Sequence, residues 1–302
     1  MPQTHPDAPV APDVPALRGL AVASAGLTGF GLVLWIAANW DALGRTGQFT
    51  LLQAAVLGAC ALAWRLRAAR PAAGLLALLG IGGLFAYFGQ TYQTGADAWQ
   101  LFALWAVLAV PLALGVRSDV VWAPWGLVAL TGVALWVQAH TGHRWRTEPR
   151  DLPVYLIGWT LAAGVCVLTS PPFHARLGTG PWAFRGSVTL TVVMVSAAAL
   201  WGLFDRTVSP HYLLGLGLLA GAAALLCQPG RFDVFALSAV ALGLDTLLVA
   251  GLARLLFDWE RSGGDPIGRL LLIGVCAAGL LAYSVSLILR LARRSAPAGA
   301  SA

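Results

Sequence analysis

The run Val234–Phe257, VFALSAVALGLDTLLVAGLARLLF, decides the fold class of this chain. It is predominantly apolar, and its only charged residues are Asp245 near its centre and Arg254 near its end. An α-helix needs about 20 such residues to cross the roughly 30 Å hydrocarbon core of a bilayer. Strands of a membrane barrel would instead alternate apolar and polar residues, which this run does not do. The run therefore predicts a membrane-spanning α-helix.

Nine further runs of the same kind fill most of the chain, and the short segments between them hold turn residues and charges. The ten predicted spans are Leu17–Ala38, Phe49–Trp64, Ala72–Phe88, Trp99–Gly115, Val120–Gln138, Leu152–Thr169, Gly186–Phe204, His211–Cys227, Val234–Phe257 and Ile267–Leu291. We therefore expect an all-α, polytopic transmembrane helix bundle of about ten spans, because helices satisfy their own backbone groups in lipid.

The charged connecting loop, residues 139–151, suggests a division of the bundle into two halves. The N-terminal five-helix half is then residues 17–138, and the C-terminal five-helix half is residues 152–294. Residues 1–16 are rich in proline, which opposes helix formation, and are expected to be a disordered tail. Residues 295–302 are expected to be a second disordered tail.

Composition supports the same class and excludes several others. Only 11% of the residues are charged, against about 25% in a typical soluble domain, so lipid must cover most of the surface. All 19 basic residues are Arg, and the absence of Lys excludes a phosphate-binding P-loop and a Lys Schiff base. The net charge of +6 suits anionic lipid. Because the arginines are scattered, no nucleic-acid partner is predicted, and protein partners stay undetermined.

The distribution of arginine favours one orientation. A cytoplasmic N-terminus places 11 of the 19 arginines inside and 7 outside, with Arg254 unassigned. The loop His140–Asp151 opposes this bias. With ten spans, both termini are expected in the cytoplasm.

No cofactor and no metal site are predicted. Cys60, Cys166, Cys227 and Cys276 lie singly in or at the end of apolar runs, with no C-x-x-C pair. His140 and His143 have helical spacing and Glu148 follows, but a closed metal site needs a clear third and fourth ligand. The usual catalytic motifs of soluble enzymes are absent, so an enzyme is not favoured.

Asp245 is the strongest single candidate for function. An ionised carboxylate at the centre of a span costs about 2.5–3.5 kcal/mol on insertion scales, so it should be paired, protonated or open to water. Arg254 lies nine residues on, about 180° around the helix, and is not a partner, whereas Ser238 shares its face. One interpretation is an intramembrane proton or cation site. The other is a neutral Asp that hydrogen-bonds within the bundle.

A polar junction follows the third run: Tyr87–Gln100, YFGQTYQTGADAWQ. Polar segments at membrane depth must be buried in protein or face a water-filled cavity. The end of the first run, WIAANWD at Trp35–Asp41, lies on the same predicted side. The candidate ligand vestibule comprises Asn39, Asp41, Gln90, Tyr92 and Asp97. The alternative is a pair of ordinary helix ends with interfacial Trp and Tyr anchors.

These segments also carry a family resemblance. IAANWDAL (Ile36–Leu43) and FGQTYQTGADAWQLFALWAVLAVPLALGVRSDVVW (Phe88–Trp122) resemble an uncharacterised bacterial family of predicted multi-pass membrane proteins that bear domain of unknown function 2157. The resemblance covers roughly residues 17–138. Gln93 stands where the family often has His, and Ala96 interrupts the Gly-Asp pair. The resemblance implies a bacterial cytoplasmic (inner) membrane but no activity.

We expect a transporter or channel-like protein for a small or lipidic solute. The alternative is a non-transporting structural or accessory membrane protein that assembles with partners. A further pattern, G-x-x-x-G at Gly217–Gly221, permits close helix approach and is expected to pack helices within the chain.

Overall fold

The computed structural model describes residues 14–38, 40–92, 95, 97–142, 147–205, 207–228, 230–258 and 266–295. Over these residues the chain forms α-helices and one 3-10 helix, Pro149–Asp151, and no strand. The helices are α1 (Val14–Ala38), α2 (Trp40–Arg65), α3 (Arg70–Tyr92), α4 (Ala98–Val116), α5 (Asp119–His140), α6 (Leu152–Thr169), α7 (Pro171–Leu177), α8 (Pro181–Leu203), α9 (Pro210–Leu226), α10 (Val234–Asp258) and α11 (Pro266–Ser295). The predicted all-α class is confirmed.

Within the described part of the chain, eight helices are long and apolar enough to cross a membrane. They are Gly44–Arg65, Arg70–Tyr92, Ala98–Val116, Asp119–His140, Pro149–Thr169, Pro181–Leu203, Val234–Phe257 and Pro266–Arg294. Two shorter apolar helices, Gly19–Trp35 and Pro210–Leu226, lie near the lower limit of spanning length. These segments coincide with the ten predicted runs, and the polytopic helix bundle is confirmed.

One helix was not predicted. The sequence predicts a loop between the sixth and seventh spans, but the structure has α7 there. Ser170 precedes two prolines that suit the first turn of a helix, and Gly178, in the left-handed conformation with φ of 75°, ends it. A helix of seven residues is much shorter than a membrane span, so a search for long apolar runs does not detect it.

The described residues divide into two compact units. The N-terminal unit comprises those within Met1–Thr94 and Leu108–Val121, and the C-terminal unit comprises those within Gly95–Val107 and Trp122–Ala302. The described residues of the predicted connecting loop, 139–151, fall in the C-terminal unit. The division into two five-helix halves therefore stays a prediction.

In the N-terminal unit, α1 and α2 both pack against α3. The ring of Tyr87 on α3 meets Phe49 on α2 edge-on, with centroids 4.4 Å apart. The Tyr87 hydroxyl donates a hydrogen bond of 3.3 Å to the carbonyl of Arg45. Edge-to-face packing with a satisfied hydroxyl is the usual environment of a buried Tyr. These contacts hold the first part of α2 against the last part of α3.

In the C-terminal unit, α8 is central and packs against α6, α9 and α10, while α10 also packs against α9 and α11. Gly243 allows α10 to approach α8 closely. A Cβ at this position would lie 2.6 Å from Val192 Cγ1 and 3.0 Å from Ser196 Oγ. Small residues permit such approach between membrane helices, where packing is the main attraction.

The G-x-x-x-G pattern of α9 does not pack helices in the described chain, so that expectation is wrong. No described heavy atom lies within 4 Å of where a Cβ of Gly217 or Gly221 would stand. The close contact of α9 is instead at Gly215, where a Cβ would lie 2.8 Å from the Ala199 Cβ on α8. The two patterned glycines face another side of the helix from Gly215.

An ion pair joins the beginnings of α8 and α10. The Arg185 guanidinium donates to Asp233 Oδ2 from Nη2 at 2.9 Å and from Nε at 3.2 Å. Asp233 Oδ1 also accepts from the backbone N–H of Ala236 at 2.9 Å, as a helix N-cap does. One carboxylate therefore both begins α10 and fixes it to α8.

Candidate functional site

Asp245 lies in the middle of the spanning stretch of α10 and is only 8% exposed. The neighbouring Thr246 is exposed, and its hydroxyl donates to the Leu242 carbonyl of its own helix at 2.7 Å. Ser238, the residue that shares the face of Asp245, is also exposed and donates to the Val234 carbonyl. Neither hydroxyl on α10 hydrogen-bonds to the carboxyl group.

The partner of Asp245 comes from α11. The Ser284 hydroxyl donates a hydrogen bond of 3.1 Å to Asp245 Oδ1. The other oxygen, Oδ2, is buried and accepts no hydrogen bond from the described residues. Among the described residues Asp245 forms no ion pair, and Arg254 is not its partner. Buried polar atoms are normally satisfied, so Oδ2 is the candidate position in this site for a proton, an ion or a water.

The vestibule residues are described only in part. Gln90 and Tyr92, at the end of α3, are exposed in the N-terminal unit, and the Tyr92 ring lies 4.8 Å from that of Phe88. Asp97 is exposed and belongs to the C-terminal unit. Asn39 and the side chain of Asp41 lie outside the described residues. The vestibule therefore stays a prediction, and the ring contact of Tyr92 accords with the alternative of an anchoring aromatic.

A second buried polar group, which the sequence did not single out, lies where α8 ends and α9 begins. His211 is fully buried, its Nδ1 lies 2.7 Å from Ser209 Oγ, and Tyr155 meets its ring edge-on at 4.8 Å. His211 Nε2 and the hydroxyl of Thr147 have no hydrogen-bond partner among the described residues. This group brings together side chains from three segments of the C-terminal unit, with a hydrogen bond only between Ser209 and His211.

Gly202 makes room for this group. A Cβ there would lie 3.1 Å from His211 Cβ and 3.4 Å from Thr147 Oγ1. The only local signal is Ser209-Pro210 ahead of an apolar run, which is typical of a helix start. A histidine at that position is expected at the membrane boundary, and its burial depends on α6 and α8.

Potential metal ligands are dispersed in the described chain, where no three His, Cys, Asp or Glu side chains group to hold a metal ion. His140 contacts the Trp136 carbonyl of its own helix through Nδ1 at 2.8 Å. His143 lies outside the described residues. The four cysteines are free thiols, three of them half-buried and Cys276 exposed.

Comparison with known proteins bears on the N-terminal part of the chain. Residues 3–122 match the model of a family described as predicted membrane protein (DUF2157). The resemblance inferred from the two sequence segments is therefore confirmed, and the chain is a membrane protein. No curated protein and no solved structure matches it. Asp245, Ser284 and His211 all lie outside the matched residues.

Proposed function

We propose that this membrane protein is a transporter or channel-like protein for a small or lipidic solute, and that Asp245 binds a proton or small cation in its cycle. The observation that carries the proposal is the half-satisfied carboxyl group. One oxygen receives the Ser284 hydroxyl, and the other is buried without a hydrogen bond from the described residues. Intramembrane acids of this kind are typical of ion pathways and proton relays.

The two states of Asp245 differ in what they need at Oδ2. A protonated carboxyl is neutral and is stable in apolar surroundings. An ionised carboxylate keeps the Ser284 hydrogen bond but needs a cation or water at the second oxygen, because an uncompensated charge in the membrane costs about 2.5–3.5 kcal/mol. With a proton bound, the carboxyl group is stable in apolar surroundings. Once the proton is released, the carboxylate needs a cation or water at this oxygen.

The position of α11 supports exchange at this site. Only 6% of its spanning window is buried, and the helix packs chiefly against α10. A small displacement of α11 would separate Ser284 from Asp245 and leave the contacts of α8 intact. Elements that move are held by few buried contacts, which is the condition that α11 meets.

The test is ion flux in proteoliposomes loaded with the pH indicator pyranine and driven by a valinomycin-clamped potassium potential. Parallel vesicles carry a sodium indicator. We expect the wild-type protein to admit one of the two ions and Asp245→Asn to reduce that flux to the level of protein-free vesicles. Thr246→Val, a change at the exposed neighbour, should leave it unchanged. Equal flux through the wild type and Asp245→Asn would refute the site.

The alternative is an accessory protein that assembles with partners in the membrane. It is favoured by the exposed apolar surface of α11, where Leu271, Val275 and Tyr283 are 69%, 62% and 67% exposed. Such a surface suits a partner helix as well as lipid. Under this alternative the wild-type chain carries neither ion in the flux assay, and Asp245→Asn behaves like the wild type.

We also propose the bacterial cytoplasmic membrane as its location, with both termini in the cytoplasm. The support is the arginine distribution, in which Arg65, Arg67 and Arg70 share a predicted side with Arg293 and Arg294. Fusion of a green fluorescent protein to the C-terminus tests the orientation, because that protein fluoresces on the cytoplasmic side. A dark fusion of normal abundance would contradict it.

A further inference from the structure

The N-terminal unit contains a groove, whereas Asp245 belongs to the C-terminal unit. The groove has a volume of about 210 Å³ and is bordered by α2, the start of α3 and the end of α4. Cys60 and Trp64 line it from α2, Arg70 from α3, and Pro111, Leu112 and Val116 from α4. Its walls are apolar except at Arg70. A binding site of this kind suits a chain-like apolar group with one anionic end.

Arg70 is held in place at this groove. Its Nε donates a hydrogen bond of 3.1 Å to the carbonyl of Ala63, a residue of α2 that also borders the groove. Among the described residues no carboxylate pairs with Arg70. The guanidinium has five N–H donors, and this bond uses one of them. The remaining donors are available to a ligand.

The side of the groove formed by the end of α2 and the start of α3 carries only positive charge. Arg65, the last residue of α2, and Arg67, on the turn that leads to Arg70, are both exposed. No Asp or Glu occurs between residues 42 and 96. Basic groups next to spans attract anionic lipid, and basic pockets between membrane helices bind lipid headgroups. The arginines of this turn thus complement a phosphate.

We propose that the groove binds one anionic phospholipid. Its phosphate lies on Arg70 at the membrane boundary, and part of one acyl chain lies along Trp64, Leu112 and Val116. A free phosphate ion gains nothing from the apolar walls, whereas a lipid uses both parts of the groove. Trp64 is 80% exposed at the end of its span, which is the position of an interfacial aromatic residue.

Cys60 provides the reporter. With Cys166, Cys227 and Cys276 changed to Ala, Cys60 is the only thiol of the full-length chain. In maltoside detergent, we expect phosphatidylglycerol to slow alkylation of Cys60 by N-ethylmaleimide severalfold more than phosphatidylcholine does at the same concentration. Inorganic phosphate and glycerol 3-phosphate should not slow it. Equal protection by the two lipids, or protection by either free phosphate, would overturn the proposal.

Two variants locate the headgroup. Arg70→Gln should abolish the extra protection by phosphatidylglycerol, and Arg231→Gln, which removes the same charge from an exposed position of the C-terminal unit, should retain it. Leu112→Trp fills the groove and should reduce the phosphatidylglycerol retained in native mass spectrometry, a readout that does not use the thiol. If Arg70→Gln is protected like Arg231→Gln, or Leu112→Trp retains as much lipid as the wild type, the lipid does not bind here.

Discussion

Ser284 on α11 and Asp245 on α10 are joined by a hydrogen bond of 3.1 Å within two candidate membrane spans. The two residues are 39 positions apart in the sequence, and Asp245, whose carboxyl group accepts the bond, is buried. The bond therefore has two consequences. It satisfies half of an intramembrane acid, and it ties a mostly exposed helix to the C-terminal unit.

Ser284→Ala should destabilise the protein measurably. It removes the donor from a buried carboxyl oxygen, and leaving such a group unsatisfied costs about 1–3 kcal/mol. Ser286→Ala is the matched control, because Ser286 is exposed and donates only to the Ala282 carbonyl of its own helix. The thermal midpoint in detergent should fall for Ser284→Ala and stay near the wild-type value for Ser286→Ala. Identical midpoints would show that the bond contributes little.

Gly243→Ala should weaken the contact of α10 with α8. The added Cβ would lie 2.6 Å from Val192 Cγ1, so one helix must shift, and overpacking of this kind costs about 1–3 kcal/mol. Gly217→Ala on α9 adds the same methyl group where no described atom lies within 4 Å. It should be neutral or slightly stabilising, because Ala favours the helix. The thermal midpoints of the two variants, compared in one detergent, check the prediction; a normal midpoint for Gly243→Ala would contradict it.

Changes at Asp233 should separate its two roles. Asp233→Ala removes both the N-cap of α10, worth about 0.5–2 kcal/mol, and the ion pair with Arg185. Asp233→Asn keeps a capping oxygen and loses only the ion pair, which contributes about 1 kcal/mol or less for partly exposed groups. Unfolding in detergent should therefore rank the wild type above Asn and Asn above Ala. An Asn variant as unstable as the Ala variant would mean that the ion pair, and not the cap, dominates.

Trp122→Phe should be among the more disruptive conservative changes in the chain. Trp122 is 1% exposed, and its Nε1 donates to the Leu177 carbonyl at the end of α7 at 3.0 Å. The variant leaves that carbonyl without this donor and creates a cavity, at a combined cost of about 2–4 kcal/mol. Trp182→Phe, at a site 71% exposed, should change stability by less than about 0.5 kcal/mol. Equal thermal midpoints for the two variants would contradict this.

Much of the fold could be predicted from the sequence, because a membrane-spanning helix is recognised from the hydropathy of its own residues. Val234–Phe257 is long and predominantly apolar, and the structure has a helix there. The missed α7 shows the limit of that signal. Its start at Ser170 and its end at Gly178 carry ordinary capping residues, but hydropathy over a long window does not register a helix of seven residues.

The partners of the candidate site residues could not be predicted from the sequence. Helical spacing shows which residues share one face of a helix, but not which residues of other helices pack against that face. Ser238 shares the face of Asp245 by spacing, yet its hydroxyl bonds to its own helix. The hydroxyl that reaches the carboxyl group is that of Ser284 on the next helix. His211 is likewise buried only because Tyr155 of α6 and Gly202 of α8 lie against it, whereas its hydrogen-bond partner Ser209 belongs to its own segment.

The sequence by itself determined the class of this protein and the positions of its apolar helices, since transfer of a long apolar run into lipid depends on the residues of that run alone. It also identified Asp245 as an acid within a span. Only the tertiary structure decided that Ser284 satisfies half of its carboxyl group, that His211 is buried, and that Arg70 lines a mainly apolar groove. Each of these depends on which helices pack together, and that is set by contacts between residues far apart in the chain.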